Sequence, residues 1–281
     1  MKVNFVVYPA HGRPFTADAT FAQDGQPKPV VIFTHGFKGF KDWGHFNLLA
    51  RYFAEQGFMF IKFNFSYNGT TVADDSDVHD LEAFGRNNFS LELDDLEALI
   101  DLLNDTQGPL QQKELNLNNL YLIGHSRGGG AVILKAAEDP RIKAVATWAG
   151  VSDYDQRWAP GVMEQWQREG VQWVANSRTG QQMPLYYQLV ENFEQNKNRL
   201  SIPQGLTKMQ QPLLILHGEE DETVPLEAAH VLKQHKPDAE LHLLPQANHS
   251  FGGKHPFEDN ELPEPARIAA DLSIDFFRRH A

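Results

Sequence analysis

Residues 119–124 form an apolar run, Asn-Leu-Tyr-Leu-Ile-Gly, that passes through Gly124-His125-Ser126-Arg127-Gly128 into a helix-like stretch at 131–137. A chain that goes from strand to helix in so few residues must turn sharply. Side chains at 124 and 128 would strike the neighbouring strand and helix, so both positions call for glycine. A serine between two such glycines, with a strand before and a helix after, is the nucleophile-elbow pattern. The turn lifts the Ser126 hydroxyl clear of the sheet, where a base can reach it.

The rest of the chain repeats this strand–helix rhythm. Residues 30–34, 58–65, 119–124, 142–148, 212–217 and 240–244 read as strands, and 45–56, 89–104, 126–137, 225–235 and 264–279 as helices. Ser90 is the expected N-cap of the 89–104 helix. Such alternation argues for a mostly parallel sheet with helices on both faces. The first 22 residues read as one or two strands at an antiparallel edge. Residues 152–208 break the rhythm and read as an inserted helical cap, leaving 1–151 and 209–281 as the core. A structureless loop of that length is improbable in a compact domain. This cap holds Trp158, Trp166, Trp173, Tyr186, Tyr187 and Phe193. At least two of them are expected to line an apolar pocket, with Trp158, Trp166, Trp173 and Tyr186 the candidates for substrate contact. The bland alternative is that the rings only fasten the cap to the core.

A serine hydroxyl needs a base, usually histidine, and the histidine needs a carboxylate to fix its tautomer. Both have candidates at strand ends. An apolar run at 213–216 leads into His217-Gly218-Glu219-Glu220-Asp221-Glu222-Thr223-Val224-Pro225. Asp221 sits on the turn before a helix opened by proline, with Glu219, Glu220 and Glu222 as competitors. Of twelve histidines, His249 follows the next strand on a loop, far enough beyond Asp221 for one helix and one strand. His242 falls on the strand itself and His255 is the rival. The backbone N–H groups of Arg127 and of Phe37, in His35-Gly36-Phe37-Lys38-Gly39-Phe40, are the expected oxyanion donors. Lys38, Lys41 and Arg127 are candidates for an anionic group of the substrate but read more simply as solvated charges. Asp94 and Asp95 read as a solvated helix face or cap partners. Asn64, Ser66 and Tyr67 end a strand near the site and are candidates for substrate contact.

Composition narrows the remaining classes. With no cysteine the chain has no disulfide, zinc–thiolate site or thiol nucleophile, and its net charge of −12 disfavours nucleic acid and anionic membranes. No metal, nucleotide or other cofactor motif is present. No apolar run reaches transmembrane length, and the amino terminus alternates like a strand, so a cytoplasmic protein acting on a small molecule is expected. Asn68-Gly69-Thr70 and Asn88-Phe89-Ser90 read as chance triplets. Oligomeric state is not legible.

Together, His35–Trp43, Gly124–Gly129 and the His-Gly-x-x-Asp-x-x-Val-Pro run at 217–225 resemble the α/β-hydrolase superfamily, in particular its small serine esterases similar to cinnamoyl (feruloyl) esterases and dienelactone hydrolases. The resemblance covers nearly the whole chain. It implies an eight-stranded sheet, a cap after the sixth strand and a Ser126–Asp221–His249 triad. True dienelactone hydrolases use a cysteine nucleophile, which this chain lacks. The expected activity is hydrolysis of small carboxylic esters, apolar or aromatic ones included, through an acyl-enzyme. Peptide or acyl-peptide hydrolysis and thioester hydrolysis are alternatives on the same groups, and a non-enzymatic ligand-binding role is the outlying one.

Overall fold

The structure, a computed structural model, describes residues 1–155, 160–176 and 178–281. Strands β1 (Lys2–Val7), β2 (Phe15–Thr20), β3 (Lys28–Thr34), β4 (Met59–Phe63), β5 (Leu115–His125), β6 (Ile142–Trp148), β9 (Leu213–Gly218) and β10 (Glu240–Leu244) build one sheet. Its order is β1-β2-β4-β3-β5-β6-β9-β10. Only β1–β2 and β2–β4 pair antiparallel, at the edge expected from the first residues. The other pairs are parallel, with Ile32 opposite Leu122 and Ile123 opposite Ala146 at the centre.

Alternate residues of the buried strands feed two cores, as a period of two requires. Val30, Ile32, Leu120 and Leu122 face one side, under α3 (Phe89–Asn104), α4 (Arg127–Glu138), α8 (Ile202–Lys208) and α9 (Glu227–His235). Val31, Phe33, Tyr121 and Ile123 face the other, under α1 (Phe46–Glu55) and α10 (Glu264–Arg279). Helix α3 shows how its sequence earns this place. Leu93, Leu96, Leu99, Ile100 and Leu103 form a buried stripe at helical spacing. Its N-cap is Asn88 rather than Ser90: the Asn88 side chain accepts from the Leu91 N–H at 3.0 Å. The Ser90 hydroxyl instead donates to Asn192. A short helix absent from the sequence reading, α2 (Leu81–Arg86), precedes it.

The excursion after β6 differs from an all-helical cap. Besides α5 (Pro160–Glu169), α6 (Gln188–Gln195) and α7 (Lys197–Leu200), it contains an antiparallel ribbon of β7 (Val171–Ala175) and β8 (Gln182–Tyr186). Met183 on β8 packs with Val78 and Phe84 of the core. Helix α8, the last part of the excursion, buries Ile202 and Leu206 in the core itself. Among the described residues no helix is long and apolar enough to cross a membrane.

Candidate active site

Because β3, β5, β9 and β10 run parallel, the residues that follow them meet along one edge of the sheet. That edge is where open α/β sheets place their ligands. Ser126 follows β5, Phe37 follows β3, Asp221 follows β9 and His249 follows β10.

Ser126 has φ 56° and ψ −120°, a conformation that costs a non-glycine residue about 1–3 kcal/mol. The close quarters explain its flanking glycines. A Cβ on Gly124 would lie 2.3 Å from the Gly128 carbonyl oxygen, and one on Gly128 would lie 2.6 Å from Thr34 Oγ1. The Ser126 N–H donates to the Trp148 carbonyl at 2.9 Å, which ties the turn to β6. Arg127 is the first residue of α4, so its N–H lacks an acceptor within the helix and sits at the positive end of the helix dipole.

The loop after β3 passes directly against the serine: a Cβ on Gly36 would come 2.9 Å from Ser126 Cβ and 3.3 Å from its Oγ. The loop folds back through a turn in which the Gly39 N–H donates to the Gly36 carbonyl at 3.0 Å and Lys38 takes φ 61°.

The Asp221 carboxylate is completely buried and fully engaged. Oδ1 accepts from the Thr223 and Val224 N–H groups, both at 2.8 Å. Oδ2 accepts from His249 Nδ1 at 2.8 Å, with His217 Nε2 3.3 Å away. Burial alone would raise its pKa, but the hydrogen bonds from His217, His249 and Val224 outweigh it and hold the carboxyl well below the usual range. Glu219, Glu220 and Glu222 are exposed. Of these, Glu222 lies at the site, with Oε2 3.4 Å from the His249 N–H. His255 is turned away: its Nδ1 accepts from the Gly44 N–H, and its ring stacks on Trp43. His242 lies on β10, 3.9 Å from Glu240.

A cavity of about 230 Å³ opens beside Phe37 and Arg127, walled by Phe89, Tyr154, Trp166, Val174, Leu185 and Leu189, with Asp153 and Gln172 at its margin. Of the aromatic residues expected to line a pocket, Trp166 does so. Trp173 does not: its neighbours Gln172 and Val174 face the cavity, so strand alternation sends Trp173 to the opposite side, where it is 57% exposed. Tyr186 lies against Gly85 and donates its hydroxyl to Glu82. Tyr187 and Phe193 pack into the core beneath the excursion. Trp158 lies outside the described residues. Two aromatic walls escaped the sequence reading, Phe89 and Tyr154, whose rings stack 3.8 Å apart. Their positions at the start of α3 and just past β6 were the available signal.

Several charges expected in solvent are internal. The Arg127 guanidinium lies 2.8 Å from the buried Glu92 and over the ring of Phe89 at 4.4 Å. Lys41 is buried among Asp18, Asp42 and Asp75. Lys38 Nζ, half-buried, donates to the Ala175 carbonyl on β7. Asp94 reaches Arg199 and is partly exposed, but Asp95 is buried and accepts from Ser66 and His11 at 2.8 Å each. Ser66 is thereby committed to structure, as is Asn64, whose Oδ1 accepts from the Lys41 N–H. Tyr67 lies under the Arg13 guanidinium.

Three histidines near this edge carry a consequence for pH. Burial pushes His35 and His45 down to about 4, and burial followed by the neighbouring His249 takes His125 to about 3. In the unfolded chain all three titrate near 6.5. Between those limits the unfolded state binds more protons, so stability falls as pH drops. The His11–Asp95 pair opposes this, since burial, partly offset by the bonds from His11 and Ser66, raises Asp95 to about 6. With three groups against one pair, the urea unfolding midpoint is expected to be lower at pH 5 than at pH 7. An equal or higher midpoint at pH 5 would contradict the neutral, buried state of these rings.

An eight-stranded, mostly parallel sheet with a serine on a strained strand-to-helix turn defines an α/β-hydrolase. The model of the prolyl oligopeptidase family matches residues 45–262, and the chain belongs to that family. It is 30% identical over 167 residues to the mouse serine hydrolase BPHL, a match covering 54% of this chain and 56% of that protein. The human serine hydrolase BPHL is 28% identical over 170 residues, with the same coverage. The chain thus spans about half the length of the curated relatives it matches. Among solved structures, the esterase domain of a Rhodothermus marinus protein superposes over 100% of this chain and 99% of its own, with 23% identity and a TM-score of 0.67. Est1E from Butyrivibrio proteoclasticus gives 18% identity and a TM-score of 0.70 over 99% and 98% of the two chains. These two likenesses establish the fold.

Proposed function

We propose that the chain is a serine carboxylesterase that works without a cofactor, with Ser126 as nucleophile, His249 as base and Asp221 as its orienting carboxylate. The observation that carries this reading is the bond from His249 Nδ1 to a buried, ionised Asp221. It leaves Nε2 as the ring atom free to accept a proton. Ser126 gives its proton to His249 Nε2 and attacks the ester carbonyl. The oxyanion takes hydrogen bonds from the N–H groups of Phe37 and Arg127. The imidazolium returns its proton to the departing alkoxide, the alcohol leaves and an acyl-Ser126 remains. Water, deprotonated by His249, then releases the acid and restores the serine.

The excursion acts as a cap, and the cavity under it receives the apolar or aromatic part of the ester. Its size suits a single ring with a short chain, and its walls are mostly aromatic and aliphatic. Ester cleavage is supported by the esterase named among the structures of the same fold. Amide cleavage is the second reading, favoured by membership of a family named for peptidases.

The discriminating experiment pairs fluorophosphonate labelling with turnover of matched aryl esters, amides and thioesters. The expected result is labelling at Ser126 and kcat/KM highest for the esters. Labelling with preference for the amide would replace the first reading by the second. No labelling would reject both.

A further inference from the structure

Resting on that reading of the site, we propose that His125 is a positioning residue that locks the base to the nucleophile: its imidazole donates from Nε2 to the backbone carbonyl of His249. The distance is 2.9 Å. A carbonyl oxygen only accepts, so Nε2 must carry the proton and the tautomer follows from the partner. His125 is the last residue of β5 and is bonded covalently to Ser126. One hydrogen bond therefore joins the residue next to the nucleophile to the residue that holds the base.

This contact is separate from the one made by Asp221. The carboxylate fixes the ring of His249 at Nδ1, whereas His125 fixes its main chain. The loop after β10 is also held on either side, by the Glu220 N–H on the Ala247 carbonyl at 3.0 Å and by the buried Phe251 ring against Trp148, but the bond from His125 falls on the residue of the base itself. The His249 N–H lies 3.4 Å from Glu222 Oε2, a long contact to an exposed side chain. Orienting the ring alone, with the main chain at 249 free to shift, would leave the distance to the serine unset, and proton transfer is steeply sensitive to that distance.

The surroundings suit a neutral donor. The His125 ring lies 4.9 Å from the His249 ring and packs edge-on to Phe46. The ionisable groups facing it are His249, His45 and Asp221. When His249 becomes an imidazolium during turnover, a second cation at 125 would oppose it. Protein packing keeps His125 uncharged, so it offers a hydrogen bond without competing charge.

The test compares two variants with the wild-type protein. His125→Phe keeps a planar ring against Phe46 but has no N–H. His125→Gln carries an amide nitrogen that reaches about as far as imidazole Nε2. On an aryl ester the Phe variant is expected to lose about 10- to 100-fold in kcat with KM within about twofold, and the Gln variant to recover most of that loss. Fluorophosphonate labelling of Ser126 should slow in parallel. Full kcat in a folded Phe variant, or equal losses in both, would overturn the proposal, the latter by showing that the ring acts through packing alone. A second measurement is independent of turnover and of either variant's folding. In wild-type protein with 15N-labelled histidine, residue 125 should appear as the neutral Nε2–H tautomer across pH 5–8, with a coupling to the His249 carbonyl carbon. The Nδ1–H tautomer, or titration in that range, would overturn the positioning role. Wild-type protein that shows this signature yet neither labels nor turns over would instead reject the catalytic reading.

Discussion

Replacing Ser126 with alanine is expected to lower kcat on an activated aryl ester by about 10⁴- to 10⁶-fold. The size follows from chemistry rather than from binding. Alanine keeps the Cβ and the strained φ of 56°, so the turn, the N–H of Arg127 and the cavity persist while the attacking oxygen is lost. What remains is whatever the bound water achieves with the oxyanion donors alone. Thermal unfolding should be nearly unchanged, because the same backbone strain is present in both proteins. Ser126→Gly makes a useful contrast. It should be equally inactive yet more stable by about 1 kcal/mol or more, since glycine adopts this conformation without penalty. Retention of more than about one hundredth of wild-type kcat in the alanine variant would remove Ser126 from the mechanism.

Asp221→Asn is expected to cost about 10³- to 10⁴-fold in kcat with little change in shape. In the native site Oδ1 takes two backbone N–H groups, from Thr223 and Val224, and Oδ2 takes Nδ1 of His249. An asparagine must keep its oxygen on the two backbone donors. Its NH₂ then faces Nδ1, which becomes an acceptor, and the ring proton moves to Nε2. The base is held in place with its working atom already protonated. Glu220→Gln, a change at an exposed neighbour, should leave kcat within about twofold. A large loss at Glu220 with a small one at Asp221 would move the carboxylate role and break the argument from geometry. The comparison is made by steady-state kinetics at one fixed pH for all the proteins.

How far the sequence discloses this site depends on the range over which each signal acts. The Ser126 turn is legible because everything that shapes it lies within a few residues: strand, glycines and helix follow one another directly. Asp221 and His249 are legible for a related reason. Each follows an apolar strand, and parallel strands deliver their ends to one edge. The burial of Asp95 is not legible in the sequence because its partners are remote, His11 being 84 residues away and Ser66 29 away. On the helix alone, Asp94 and Asp95 look alike; tertiary contacts separate an exposed carboxylate from a buried one. The β7–β8 ribbon is not legible because Val171–Ala175 lies mostly in partial contact with solvent and lacks a clean apolar alternation. Trp173 shows the limit of reading aromatic density as a pocket. Composition gives the rings, but only the pairing of β7 with β8 says which way each one faces.

The path of the chain between β6 and β9 has an evolutionary consequence. These strands are parallel neighbours, with Val145 opposite Leu213, and a parallel pair needs only a crossover helix to join it. Helix α8 already serves as that crossover, packed on α4 in the core. The stretch from 152 to 200 is therefore surplus to closing the sheet, yet it supplies Trp166, Val174, Leu185 and Leu189 to the cavity. Selection can lengthen, shorten or exchange this stretch to reshape the cavity while the residues at the strand ends are inherited intact, so what the cavity admits and the groups beside it are free to diverge at different rates.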